Sequence, residues 1–95
     1  MNKKIKVIDF YADWCNPCKV MAPIFEQVSE DLSSDNIEFQ KVNVDEDSET
    51  ANRYQVRSIP TFVFEVDGVV QNRRMGMTSA DQFREIIEGL TQDSN

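Results

Sequence analysis

The spacing of apolar residues changes in a regular alternation along the chain. Ile5 to Tyr11 is β-branched and aromatic, interrupted only by Lys6 and Asp9. That run is too short for a helix and too apolar for a strand with one wet face, which predicts a central strand covered on both faces. Val20, Met21, Ile24, Phe25, Val28 and Leu32 then recur at helical spacing. They predict a helix over about 16–33, with Pro17 suited to its first turn and Pro23 kinking its interior. Ser33 to Asn36 is a turn cluster, and Ile37 to Val44 reads as a second strand. A strand, a helix and a strand in this order form a right-handed parallel βαβ unit.

The acidic run Asp45-Glu46-Asp47-Ser48-Glu49 marks a solvated helix start, where carboxylates favour the helix dipole, and a short helix should reach about Tyr54. A dedicated metal or partner site is the alternative reading of that run. Thr61 to Val66 and Val69 to Met75 flank Asp67-Gly68, a hairpin signal that makes these strands antiparallel neighbours. Phe83, Ile86, Ile87 and Leu90 make the stripe of a last helix, with Thr78 or Ser79 as N-cap and Asp81 or Gln82 completing a capping box. The expected fold is α/β: a mixed four-stranded sheet flanked by helices on both faces, in one domain over residues 1–95.

Composition narrows the possibilities. The 40% hydrophobic and 28% charged residues are those of a soluble globular chain. A domain of this size buries only about 60–65% of its unfolded surface, so its stability margin is thin. The start, Met1-Asn2-Lys3-Lys4-Ile5-Lys6, superficially suggests a signal segment, but Asp9 and Asp13 cut the apolar stretch behind it. We read it as an uncleaved start and expect a cytoplasmic protein. A net charge of -7 repels phosphate backbones and anionic lipid and argues against nucleic acid or membrane as partner. The chain has no histidine, which excludes Ser/His/Asp and Cys/His nucleophile pairs and most catalytic zinc sites. Carboxylates, lysines and thiols are left to carry any chemistry.

The two cysteines, Cys15 and Cys18, are too close together for a structural staple, since closing so short a loop constrains the unfolded chain by about 2 kcal/mol at most. Cys15-Asn16-Pro17-Cys18 follows the first strand and opens the first helix, where backbone N–H groups point outward unpaired. A thiolate at Cys15 is stabilised there, which makes it the expected nucleophile. Cys18, one turn further in, is close enough to bridge and is the less exposed, resolving thiol. Two thiolates alone cannot complete a zinc tetrahedron, so no metal site is expected without a second chain or a small-molecule ligand.

Asp9 falls in the middle of the apolar first strand, where burial raises the pKa of a carboxyl. Behind two thiols, such a group is a proton acceptor for the resolving cysteine. An Asp on a wet strand face is the alternative. Lys41, on the neighbouring parallel strand, is either its charge partner or a plain surface lysine.

The stretch Val7-Ile8-Asp9-Phe10-Tyr11-Ala12-Asp13-Trp14-Cys15-Asn16-Pro17-Cys18-Lys19 resembles the active-site segment of the thioredoxin family. The similarity continues through Ala22-Pro23, Lys41-Val42-Asn43-Val44-Asp45, Val56-Arg57-Ser58-Ile59-Pro60-Thr61, Asp67-Gly68 and Gly76, covering about residues 5–90. It implies a thioredoxin-like fold and a protein-disulfide reductase, with Cys15 as attacking thiolate, Cys18 as resolving thiol, and Asp9 and Lys41 as the buried acid and its lysine. It further implies a cis-proline at Pro60, with Ile59 offering backbone groups to an extended substrate segment. Trp14, Asn16, Pro17 and Gly76 would line the substrate groove, where glycine lets a backbone approach closely. Met75 and Met77, beside Gly76, suit a surface that accepts varied partners, although core packing is the commoner fate of a strand methionine. The family implies no bound cofactor, electrons from NADPH through a thioredoxin reductase, and disulfide-bearing proteins as substrates.

Two departures stand out. Asn16 occupies a position where the family usually has glycine, and residues between the cysteines tune the dithiol–disulfide balance. Pro17 and the lack of histidine make the motif unlike the oxidising and isomerising branches, so a reductant is expected. An oxidant or isomerase and a non-catalytic interaction module are the alternatives. Second, only eight residues precede Asp9, so the family's usual first strand and helix have no counterpart. The strand from Ile37 should then be an exposed edge, in a monomer of reduced stability or an edge-paired dimer, with Lys41 discouraging the pairing.

Overall fold

The computed structural model describes residues 3–92; Met1 and Asn2, part of the start read above as uncleaved, lie outside them. The elements are β1 (Ile5–Tyr11), α1 (Asn16–Leu32), β2 (Ile37–Asn43), α2 (Ser48–Arg53), β3 (Thr61–Val66), β4 (Val69–Met75) and α3 (Ala80–Thr91). They form a mixed four-stranded sheet in the order β2-β1-β3-β4. β1 runs parallel to β2, with Asp9 opposite Lys41. It is antiparallel to β3, with Asp9 opposite Phe62. Both sides of β1 are thus hydrogen-bonded, as a run of apolar residues with so few polar breaks requires.

Alternation along β1 divides the core in two. Ile5 and Val7, with Phe62 and Phe64 of β3, pack against Met21, Phe25 and Val28 of α1 and Phe83 and Ile87 of α3. Ile8 and Phe10, with Val42 and Val63, pack on the other face against Ala51 of α2, and Tyr54 closes its edge. The Phe62 and Phe83 rings meet edge to face at a centroid distance of 4.9 Å, the geometry their quadrupoles favour.

The local signals act where expected. Asp67 and Gly68 both take positive φ, 52° and 85°, the conformation of the two-residue turn that matches strand twist. Ser79 caps α3: its hydroxyl accepts from the Gln82 N–H, and the Gln82 side chain accepts from the Ser79 N–H. Asp47 caps α2 through the Thr50 N–H at 3.1 Å, so the acidic run does open a helix. Pro23 lies on the exposed side of α1 without ending it. Among the described residues β2 borders the sheet, with Lys41 exposed on it.

Phe83 is fully buried and touches three other phenylalanine rings. Phe83→Ala should cost about 3–5 kcal/mol, since the surrounding rings cannot collapse into the cavity left behind. Urea denaturation followed by circular dichroism measures this; a loss under about 1 kcal/mol would show that α3 does not anchor the core.

Candidate functional site

The C-terminal end of β1 and the N-terminus of α1 meet at the two cysteines. Cys15 is the N-cap of α1, in extended backbone conformation, and its Sγ accepts the Cys18 N–H at 3.2 Å. A sulfur therefore occupies the position where Ser or Asp usually satisfies the first unpaired donors of a helix. The same donors and the aligned peptide dipoles stabilise negative charge on that sulfur. Pro17 fits the first turn because it has no N–H to leave unpaired. Cys15 and Cys18 are joined in a disulfide with their Cα atoms 5.2 Å apart.

The expectation that Cys18 is the less exposed thiol is not met in this oxidised state: both cysteines are 5% exposed. The bond holds the two sulfurs together under the same cover of Ala12, Tyr11, Val44 and Ile59. What separates them is the helix: only Cys15 holds the capping position.

Asp9 is buried on the sheet face that carries α1, and its Oδ1 has no hydrogen-bond partner among the described residues. Burial pushes its carboxyl up from 3.8 to about 6, against an opposing pull from the positive charge of Lys41. Lys41 is exposed, and its ammonium lies 4.8 Å from the centre of the Tyr11 ring rather than on the carboxylate. The two act on each other through space without an ion pair. Between them lies a hollow of about 210 Å³ whose walls include Asp9, Cys18, Lys19, Ala22 and Lys41, roomy enough for water to link carboxyl and thiol.

The remaining residues singled out in the sequence gather at the same end of the sheet. Asn16 and Pro17 are exposed beside the disulfide. The Ile59–Pro60 peptide bond is cis, and Ile59 packs on the cysteine cluster. Gly76 has φ 85° and donates its N–H to the Pro60 carbonyl at 2.9 Å, a backbone shape that explains a glycine here. Trp14 is 68% exposed, Met75 71% and Met77 54%, so neither methionine belongs to the core.

Asp45 is a residue the sequence reading missed. Its carboxylate accepts the Trp14 indole N–H at 2.8 Å, and its own N–H donates to the Asn43 side chain at 2.9 Å. The indole is thereby held beside Cys15 despite its exposure. In the sequence, Asp45 is indistinguishable from the helix-opening acids that follow it.

Among the described residues no three metal-ligating side chains come together, and no helix is long and apolar enough to cross a membrane. The thioredoxin family model matches residues 1–89. The chain is similar to a thioredoxin of Mycoplasmoides gallisepticum (strain R(low / passage 15 / clone 2)), with 42% identity over 87 residues, 92% of this chain and 84% of that protein. It is 36% identical to a thioredoxin of Bacillus subtilis (strain 168) over 83 residues, 87% of this chain and 79% of that protein. Among solved structures, a mutant thioredoxin from Halobacterium salinarum NRC-1 superposes with a TM-score of 0.87 at 33% identity, covering 97% of this chain and 79% of that one.

Asp9 also shapes stability. Its pKa is higher folded than unfolded, so the folded state binds more protons between about pH 4 and 6. The carboxylate therefore costs most above pH 6, up to about 3 kcal/mol, and nothing below pH 4. Asp9→Asn should make the oxidised protein more stable at pH 8, with the gain shrinking as pH falls through 6. Denaturant midpoints at pH 8, 6 and 4 test this; a difference that does not change with pH would mean the carboxyl is not desolvated.

Proposed function

The chain belongs to the thioredoxin family and is a thiol-disulfide oxidoreductase of the reductase type, and from that premise we propose how its residues divide the work. The single observation that carries the assignment is the disulfide at the N-cap of α1 with an unpartnered buried carboxyl behind it.

In the reduced protein, the Cys15 thiolate attacks one sulfur of a substrate disulfide, forming a mixed disulfide and expelling the other substrate sulfur as a thiolate. Cys18 gives its proton to Asp9 across the hollow they share, then attacks the Cys15 sulfur and releases the second substrate thiolate. The substrate gains two electrons and, from solvent and from Asp9, two protons. The protein is left in the oxidised form seen here. A carboxyl with a pKa near 6 is well matched to this task, since it is mostly ionised at neutral pH and yet basic enough to take a proton. Lys41 is a positioning group that limits how far that pKa rises.

Trp14, Asn16, Pro17, Ile59, Pro60 and Gly76 form the substrate rim. The segment at Ile59 offers backbone groups to an extended peptide, while Gly76 leaves open space where a side chain would stand. Substrates are disulfide-bearing proteins. Re-reduction of Cys15–Cys18 by a thioredoxin reductase, with electrons from NADPH and in the cytoplasm, is part of the proposal. It rests on the family resemblance and on the need for a reducing setting.

Cys15→Ser should bring turnover of an insulin-type disulfide substrate to background, and Cys18→Ser should accumulate a mixed disulfide that dithiothreitol releases. Full activity in Cys15→Ser would overturn the assignment. Titration of Trp14 fluorescence against a thiol–disulfide buffer, with alkylation as a check, should give a potential of roughly -220 to -320 mV, the range of the cytosolic glutathione poise. A potential at or above about -180 mV would instead assign the protein to disulfide formation or isomerisation.

A further inference from the structure

The cationic side chains are unevenly placed. All five lysines lie at or before Lys41, and all five arginines follow it. Arg84 is paired with Asp31 at 2.8 Å. Arg57 and Arg73 are exposed, and neither guanidinium forms an ion pair among the described residues. On a chain of net charge -7, two guanidinium groups without a carboxylate partner on one hollow are a local reversal of sign.

They flank a hollow of about 200 Å³ lined by Gln55, Val56, Arg57, Thr61, Arg73 and Met75. Its position relative to the disulfide follows from the chain. Ile59, which packs on the cysteine cluster, lies midway between Arg57 and Thr61. Val56 packs on the same cluster as Val44, and Val44 in turn packs on the cluster that holds the cysteines. The hollow thus adjoins the substrate rim at Ile59 and Pro60. Arg73 donates to the Tyr54 carbonyl, so its guanidinium is already oriented, and Met75 adds a flexible thioether.

Carboxylates are also present near the disulfide: Asp45 accepts the Trp14 indole N–H, and Asp13, Glu46 and Asp47 are exposed. An acidic partner is repelled by the net charge at long range. It meets the arginines only within about 8 Å, the screening length at physiological salt. The arginines then act on the docked complex more than on its approach.

We propose that the hollow receives an acidic segment of the disulfide-bearing partner, with an Asp or Glu side chain on Arg57 and Arg73 while the partner's disulfide lies at Cys15. This rests on the reductase reading and adds a class of substrate to it: disulfides with carboxylates nearby in the same bound segment.

The test uses disulfide peptides identical except for the residues that reach the hollow, glutamates in one and glutamines in the other. The full chain should show a higher kcat/KM for the acidic peptide by about fivefold, the scale of two exposed charge contacts. That ratio should fall toward one in Arg57→Gln/Arg73→Gln and in 0.5 M salt. Arg57→Gln alone, which leaves the contact to Tyr54 intact, should remove part of it. A ratio near or below one in the unaltered protein, or one that neither variant moves, overturns the proposal. If the protein reduces neither peptide, the reductase reading has failed, and docking is then decided by amide chemical shifts with an acidic peptide carrying serines for cysteines. Shifts at 55–61 and 73–75 sustain the proposal, and their absence overturns it.

Discussion

The structure depends on β1 being enclosed on every side. Its backbone is paired with β2 on one side and β3 on the other, and its side chains enter two separate apolar cores. Nothing about such a strand can shift without unpairing a ladder and moving side chains to the wrong face. Its C-terminal end is therefore a fixed point, and the loop Ala12–Trp14 carries that rigidity directly to Cys15. The Cys15 N–H donates back to the Ala12 carbonyl, and the Val44 N–H to the Tyr11 carbonyl, so both strands of the parallel pair end together under the disulfide. A reacting sulfur held on rigid elements needs little reorganisation when its partner arrives.

The same enclosure makes Asp9 effective. On an edge strand this carboxyl would be solvated and titrate at its ordinary value. In β1 it loses water, finds no hydrogen bond for Oδ1, and rises to about 6. Lys41 sits opposite it in register yet directs its ammonium over Tyr11. Had the lysine formed a tight pair with the carboxylate, the acid would be held low and could not accept a proton near neutral pH. The two cysteines are distinguished in a parallel way. Cys15 takes the favourable end of the helix dipole, whereas Cys18 faces the hollow with the base.

Much of this was legible in the residues. The type and order of every element follow from periodicity and turn chemistry, because β1, α1 and the hairpin at Asp67-Gly68 carry strong, mutually consistent signals. The burial of Asp9 was legible because a single acid in an apolar strand has nowhere else to go. Relations set only by tertiary contact were not. The role of Asp45 depends on an indole brought to it from 31 positions away along the chain. The ammonium of Lys41 had two attractive neighbours, and only packing decides between a carboxylate and a ring. Nor does the spacing of two residues between Cys15 and Cys18 specify that both are equally covered in the disulfide form.

The departures from ordinary folding preference concentrate at one end of the sheet. There, a sulfur caps a helix, the Asp9 Oδ1 is buried without a hydrogen-bond partner, an indole is exposed, and the methionines on either side of Gly76 are exposed. Elsewhere, the Ser79–Gln82 capping box, the Asp67-Gly68 turn and the phenylalanine cluster follow the rules for stability closely. Exposed Val69 and Val70, beside the turn, and Glu65, buried with the Tyr54 hydroxyl donating to it, are departures at the far end. A small core can carry an ionised, desolvated Asp9 only if the rest of the chain makes up that cost, since total stability is typically about 5–15 kcal/mol. The division between the two ends of the sheet shows where it does so: the α1–α3 core supplies stability, and the end of β1 spends its irregularities on chemistry.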